Sequence, residues 1–375
     1  EFLAANLTNE FENTSKVTKF LEDCRRLKIE ILPPDVNNPS VNFDVLDGKI
    51  QFGLSAIKNV GKGAVEEIIR SREKMERDFT SIFDFCLNVD TRIVNKRALE
   101  GLVTAGAFDC VEKNRASLFK SAEIALDHAH KVQNSKLASG DSLFGGTAEI
   151  AIADPELIFD EPWSEKERLA KEREVVGFYV TGHPLRKYEV EYKSLSNFHI
   201  GETEQTEEIE NVRACGVITD IKTKIDRSGN KMAFFTIDDF SGSCECLMFS
   251  KVFAEYGKYV KKEEPVFVIG NLESSGDAVK MHVNKLIPID TARNELSGSI
   301  RINIVKEKVP PEKLLELQSL LESHSGKIPV FIQLFSNGTK SSLYALRNNR
   351  VELSNDLITK LIEMFGEDSF LLTTK

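Results

Sequence analysis

Phe52-Gly53-Leu54-Ser55-Ala56-Ile57-Lys58-Asn59-Val60-Gly61-Lys62-Gly63-Ala64-Val65 is the stretch on which the reading of the first half of the chain turns. A short helix runs into an apolar-Gly-x-Gly turn, and a second helix follows with Val65, Ile68 and Ile69 on its inner face. This is the helix-hairpin-helix pattern. Glycine at 61 and 63 is expected to permit positive φ and a close approach of backbone to ligand. The amides of the turn and of the next helix start then point outward and can hold one DNA phosphate. Lys58 and Lys62 add charge, so Lys58, Asn59, Val60, Gly61, Lys62 and Gly63 are the candidate duplex-DNA contacts. Such contact carries no sequence information. A plain helical turn with a glycine cap uses similar residues; the flanking helices and the lysines tip the balance towards DNA.

Downstream, Val94-Asn95-Lys96-Arg97-Ala98-Leu99-Glu100-Gly101-Leu102-Val103 reads as an Asn-capped helix running into Ala105-Gly106-Ala107-Phe108-Asp109. It is a weaker copy of the motif. Lys96 and Arg97 at its start either touch the opposite DNA strand or belong to core packing, and the residues leave both open. A long helix over 114–132 follows, with Leu118, Ile124, Ala125 and His128 as candidate inner positions. Upstream, residues 1–35 read as two helices. The second starts near Asn13 or Thr14, carries Val17, Phe20, Leu21, Cys24 and Leu27 at helical spacing, and is stopped by Ile31-Leu32-Pro33-Pro34-Asp35. Two helices alone cannot bury both their faces. Residues 1–7 read as mid-helix without an initiating Met, so the chain is expected to be cut from a longer protein.

Residues 133–160 break the helical pattern. Within them Asp141-Ser142-Leu143-Phe144 sets two large apolar residues in a Gly/Ser-rich loop. A short segment with a Leu-Phe anchor suits capture by a pocket on a partner; tucking onto its own domain is the equal alternative. A charged helix over 164–176 leads to Gly182-His183-Pro184-Leu185, where His183 is assigned a structural role.

The apolar period then changes. Residues 212–218, 232–238, 244–249, 265–270 and 278–287 read as strands, with a helix over 251–260 between the third and fourth. That is the order of an OB-fold barrel. Lys222, Lys224, Arg227 and Lys231 fall between the first two strands, and Phe234 and Phe235 point to opposite faces. One ring is core and the other is free to stack on a base. Phe234-Phe235-Thr236-Ile237-Asp238-Asp239-Phe240-Ser241-Gly242 resembles the anticodon-binding OB-fold of aspartyl-tRNA synthetases, a resemblance that favours Phe234 as the outward ring. The candidate single-stranded-DNA contacts are therefore Lys222, Lys224, Arg227, Lys231 and Phe234, against the alternative of a barrel serving only as a spacer. Asp238-Asp239 ends a strand beside a turn and is assigned no metal. Residues 298–375 alternate strand (300–305), helix (311–323), two strands (329–334, 342–346), helix (355–365) and strand (370–372).

The expected fold class is multidomain α+β: a tandem helix-hairpin-helix domain at 36–135, a loop at 136–160, a helical connector at 161–209, an OB-fold β-barrel at 210–290, and a small C-terminal α+β domain at 298–375. A chain of 375 residues, 41% hydrophobic, has room for two to four such domains. No run of ~18 apolar residues suits a membrane span. Six cysteines lack any Cys-x-x-Cys pair, which argues against zinc and fits a reducing cytoplasm. The net charge of −10 argues against a protein that coats nucleic acid indiscriminately, and leaves room for local basic patches.

Together these residues resemble a family. Cys24-Arg25-Arg26-Leu27 with Ile31-Leu32-Pro33-Pro34-Asp35-Val36-Asn37 looks like the junction after the fingers domain of bacterial DNA polymerase III alpha subunits. The two hairpin stretches resemble their tandem helix-hairpin-helix domain, and Glu174-Val175-Val176-Gly177-Phe178-Tyr179-Val180-Thr181-Gly182-His183-Pro184-Leu185 resembles a signature segment before their OB domain. The order agrees and the match covers nearly the whole chain. The resemblance implies that residues 1–35 end a fingers domain. It implies a sliding-clamp motif at Asp141, Ser142, Leu143 and Phe144, with Gly140 in place of the family's usual Gln, and binding of the clamp-loader tau subunit by 298–375. It also implies a parent nucleotidyltransferase that makes DNA from primer-template and single-stranded template, using Mg²⁺. The family's catalytic aspartates precede this chain, so no catalytic residue, metal or cofactor is expected here. Rival readings are an RNA-binding OB protein of the synthetase type and an accessory part of a structure-specific nuclease or ligase. The latter would need a carboxylate cluster or an active-lysine motif.

Overall fold

The computed structural model describes residues 1–11, 13–140, 153–201, 208–275, 278–336, 339–366 and 369–375. It divides into two compact units, Glu1–His183 and Pro184–Lys375.

The first unit is helical: α1 (Phe2–Glu10), α2 (Thr14–Arg26), a small hairpin of β1 (Asp44–Leu46) and β2 (Lys49–Gln51), then α3 (Lys62–Met75), α4 (Ile82–Asn88), α5 (Lys96–Ala105), α6 (Arg115–Gly140) and α7 (Glu165–Val176). Helix starts follow short polar residues. Asn13, Ser81, Asn95 and Ser164 each accept a backbone N–H from three residues on, satisfying a donor the helix cannot. The core is aromatic. Phe79 and Phe108 each lie 5.0 Å, edge to face, from Phe85. Leu7, Val17 and Cys24 belong to this same buried cluster, so α1 and α2 bury their inner faces in the core of this unit, with α1 packed on α2 and β1. Leu27 and Ile124 do not follow their spacing inward. Leu27 is 59% exposed at the C-cap of α2, and Ile124 lies on the outer side of α6. The helix expected over 114–132 continues to Gly140.

The second unit joins a barrel to a sheet. After α8 (Glu189–Leu195), β3 (Ile209–Ile225), β4 (Lys231–Asp238), β5 (Ser243–Met248), α9 (Ser250–Tyr256), β6 (Pro265–Ser275) and β7 (Ala278–Pro288) close a barrel in the order β3-β4-β5-β7-β6. Five strands with a helix after the third make it an OB-fold. Then come α10 (Ile289–Leu296), β8 (Ser297–Val305), α11 (Pro311–Ser323), β9 (Ser325–Ser336), β10 (Thr339–Val351), α12 (Asn355–Phe365) and β11 (Phe370–Thr374). These form a four-stranded sheet in the order β10-β9-β8-β11, with β8 and β9 parallel across the α11 crossover. The fold is multidomain α+β.

Two boundaries differ from the sequence reading. The stretch 161–209 is divided: α7 packs on α5 in the first unit, and α8 belongs to the second. The barrel and the terminal sheet share one buried cluster. Cys215, Val217, Phe267 and Ile287 on the barrel's outer side are buried together with Leu195, Ala292, Ile302 and Leu357. Alternation along a strand says that a residue faces outward; it does not say what covers it.

Candidate nucleic-acid interface

The hairpin at 54–63 is tighter than expected. Its first helix is a single 3-10 turn, Leu54–Ala56, and Ile57 leaves it in extended conformation. The left-handed residue is Asn59, at φ 68°, rather than either glycine. Asn tolerates that region better than most side chains. Gly61 is the N-cap of α3 at φ −72°, ψ 159°, and Gly63 is already helical. Positive φ is therefore not why glycine stands there. A Cβ added to Gly61 or Gly63 would meet no atom within 4 Å, so both open onto free space. No side chain caps α3. Within its first turn the Ala64 amide donates to the Gly61 carbonyl at 2.9 Å, while the Lys62 and Gly63 amides precede any carbonyl the helix can offer them. Val60 is a correction to the contact set: its side chain is core, and its amide donates to the Ile57 carbonyl at 3.0 Å.

The other side of the hairpin is fastened. The Lys58 amide donates to the Val175 carbonyl at 2.7 Å. Gly101 on α5 approaches so closely that a Cβ there would lie 2.9 Å from the Lys58 carbonyl oxygen. That contact presses the two hairpin motifs together and leaves Asn59, Gly61, Lys62 and Gly63 exposed. Lys62 Nζ pairs with Glu66 at 3.5 Å, with both side chains more than half exposed. Such a pair is weak and exchanges readily for a phosphate.

Lys96 and Arg97 part company. Lys96 pairs with Glu123 of α6 at 2.9 Å, and that hydrogen bond holds its ammonium pKa above the ordinary value. Arg97 forms no ion pair among the described residues. It lies one helical turn from Gly101, on the face of α5 that meets the first hairpin. The second hairpin turn is covered. Ala107 and Phe108 are buried, the Ala107 carbonyl accepts from the Val36 amide, and Asn114 and Ser117 at the start of α6 bond to Asp160. Of the two hairpin turns, the first is the exposed one.

In the barrel, Phe235 is buried and Phe234 lies on the outer face, as the resemblance favoured. β3 is longer than expected, so Lys222 and Lys224 sit on a strand rather than in a loop, and Lys231 begins β4. Arg227 alone occupies the turn. Lys222 is directly opposite Phe234, and Lys224 lies 5.0 Å above its ring. Lys222 also pairs with Asp220 at 3.4 Å. The row through Phe234 continues across the strands to Leu247 and His282. Phe249, 48% exposed, packs edge-on against His282 with centroids 5.6 Å apart. The sequence reading missed Leu247, Phe249 and His282. Outward parity along β5 would have found the first two.

Other singled-out residues are structural. Asp239 accepts from the Ile200, Ser241 and Gly242 amides and from the Tyr192 hydroxyl, while burial pushes its carboxyl pKa up. Asp238 accepts from the Thr219 hydroxyl. The 174–185 segment is held by buried Glu172, which takes the Val180 and Thr181 amides at 2.7 and 2.9 Å and pairs with Arg115 at 3.1 Å. The His183 ring packs on Tyr179. Asp141, Ser142, Leu143 and Phe144 lie outside the described residues. Among the described residues no three His, Cys, Asp or Glu side chains gather to hold a metal ion, and no helix is long and apolar enough to cross a membrane.

An open hairpin beside a helix start, and an OB barrel whose outer face carries lysines around an aromatic ring, define a nucleic-acid-binding protein. Family models agree: residues 28–118 match a helix-hairpin-helix motif and 212–289 an OB-fold nucleic acid binding domain. Over 99% of its length the chain is 33% identical to the DNA polymerase III subunit alpha of Pseudomonas aeruginosa, and over 98% it is 32% identical to that of Escherichia coli K12. The chain belongs to the DNA polymerase III alpha-subunit family, and it spans about a third of the length of these relatives. Among solved structures, a Plasmodium falciparum SSB complex with ssDNA aligns with 22% of the chain at 17% identity and a TM-score of 0.18. An Entamoeba histolytica asparaginyl-tRNA synthetase aligns with 33% at 19% identity and 0.20.

Proposed function

We propose that this chain is the DNA-holding and partner-docking part of a replicative DNA polymerase, with nucleotide transfer and its Mg²⁺ carried by residues outside it. The first hairpin holds a phosphate of the primer-template duplex, with Lys58, Lys62 and Arg97 around it. The barrel's outer face carries single-stranded template over Phe234, with Lys222, Lys224, Arg227 and Lys231 on the backbone. Leu143 and Phe144 dock in the sliding clamp, and the terminal α+β domain meets the clamp-loader tau subunit. The observation that carries the DNA reading is the uncapped start of α3, where two glycines open onto free space beside an exchangeable lysine.

The test is a duplex titration across a salt series on two unrelated sequences. Lys62→Ala should weaken both alike and reduce the slope of log affinity against log salt by about one, since about one counterion fewer is released. An unchanged slope, or a loss on one sequence alone, refutes the phosphate contact. For the clamp, replacing Leu143 and Phe144 together by Ala should abolish clamp binding and spare duplex affinity. Retained clamp affinity refutes that assignment.

A further inference from the structure

The barrel face holds more aromatic surface than a single stacking ring. Antiparallel pairing of β4 with β5 sets Phe234 opposite Leu247 and ends at Ala233 opposite Met248. One further residue places Phe249 beside Met232, on the same outer face and diagonal to Phe234. Diagonal neighbours across such a pair are roughly 7–8 Å apart. Phe249 stands at the start of α9 with its backbone carbonyl accepting from the Phe253 amide at 2.8 Å, so its position is fixed by the helix. Its ring is braced edge-on by His282, which Glu273 holds at 2.8 Å from Nε2. A half-exposed aromatic ring braced by a second ring, on the barrel face that carries Lys222, Lys224 and Phe234, lies outside the barrel's buried cluster. Single strands bind OB-folds by successive base–aromatic stacking.

We propose that Phe249, positioned by His282, is a second base-stacking station on this face. It takes a nucleotide next to the one on Phe234. The inference rests on the single-stranded-DNA reading of the barrel. A spacing of about 7–8 Å is twice the ~3.4 Å separation of stacked neighbours. The strand must therefore unstack between the two rings, and each base finds its own aromatic partner. The two stations differ chemically. Lys224 lies over Phe234 and is displaced or shared when a base arrives, whereas Phe249 is braced by a ring.

The experiment measures binding of fluorescein-labelled oligo-dT to the whole chain, with wild type, Phe234→Ala, Phe249→Ala, Phe249→Trp and the double Ala variant. Phe249 is half exposed, so Phe249→Ala should melt with the wild type, and its melting curve is recorded beside each titration. Phe249→Ala is expected to weaken binding roughly 5- to 150-fold, the worth of one stacked base. Phe249→Trp should hold or restore wild-type affinity, and the double variant should bind more weakly than either single one. Wild-type affinity in a folded Phe249→Ala, with Phe234→Ala still impaired, overturns the second station and leaves the single-strand reading standing. If Phe249→Ala melts early, the Trp variant decides: folded yet as weak as Ala means no stacking there. If wild type itself does not bind oligo-dT, the underlying reading fails and the inference with it.

Discussion

Gly63 is the second residue of α3, on helical backbone, and a Cβ there would meet nothing within 4 Å. Glycine inside a helix costs roughly 0.5–1 kcal/mol relative to alanine. The fold therefore gives no reason for glycine at this position, whereas an approaching phosphate does. Gly63→Ala should raise stability by about 0.5–1 kcal/mol in denaturant unfolding and at the same time weaken duplex binding. A stabilised variant with unchanged affinity would show that nothing approaches α3 there. The residue scale also shows where a sequence can be right for a wrong reason. Gly-x-Gly was legible as a hairpin, but the expected positive φ belongs to Asn59, because turn chemistry at this length does not specify which residue goes left-handed. Phe234 and Phe235 were legible as an outward and an inward pair because strand parity is strict. Which of the two faced outward was not given by parity.

At the scale of elements, α11 and α12 have the bounds that their start signals suggest, Pro311 at the first turn and Ser354 as a cap. β3 was read too short because Lys222 and Lys224 look like loop residues. On an outward strand face charged residues are ordinary, and the arm they occupy carries the candidate site. What the sequence hid most fully is the attachment of α7. Glu172 and Arg115 are both buried, 57 positions apart, and Arg115 also pairs with Asp109 at 2.6 Å and donates to the Thr104 carbonyl at 3.1 Å. A charged residue on a polar helix such as α7 reads as solvated; only the structure shows Glu172 facing inward to meet Arg115 at the start of α6. Arg115→Met takes away the nearer cation of buried Glu172, at 3.1 Å, and leaves it Arg168 at 3.9 Å; the variant should cost ~3–5 kcal/mol of first-unit stability. Arg115→Met combined with Glu172→Gln should recover part of that loss, because the fully buried carboxylate is then neutral and only the partly exposed Asp109 has lost a cation. The denaturant midpoints of the two variants decide it. A loss under ~1 kcal/mol for Arg115→Met would mean the pair is not what fastens α7.

For the whole molecule the consequence lies in the second unit. β3 reads Val212-Arg213-Ala214-Cys215-Gly216-Val217-Ile218, and it is buried on both faces: Ala214 and Ile218 line the barrel, while Cys215 and Val217 face the other way. A near-continuous apolar run is what a strand covered on both sides shows. The covering elements are α8, α10 and the terminal sheet, tied further by buried Arg293, which bonds Glu191 of α8 and Asn355 of α12. A barrel cut off at residue 290 would lose α10 beyond its first residues together with the sheet, exposing Val217, Phe267 and Ile287. Each such side chain is worth ~1.5–3 kcal/mol when buried, so the sum is a large share of the 5–15 kcal/mol that holds a typical domain. A chain ending at 290 should therefore melt well below the complete second unit, 184–375, and bind a hydrophobic dye that the complete unit does not. Within the complete unit, Leu357→Ala in α12, far from the barrel in sequence, should lower the melting seen by a probe on Phe234's face, because barrel and sheet unfold as one. If the 290 truncation melts cooperatively within a few degrees of the complete unit and binds no dye, the barrel's own interior suffices. The OB-fold would then be a separable module, as the sequence alone suggested.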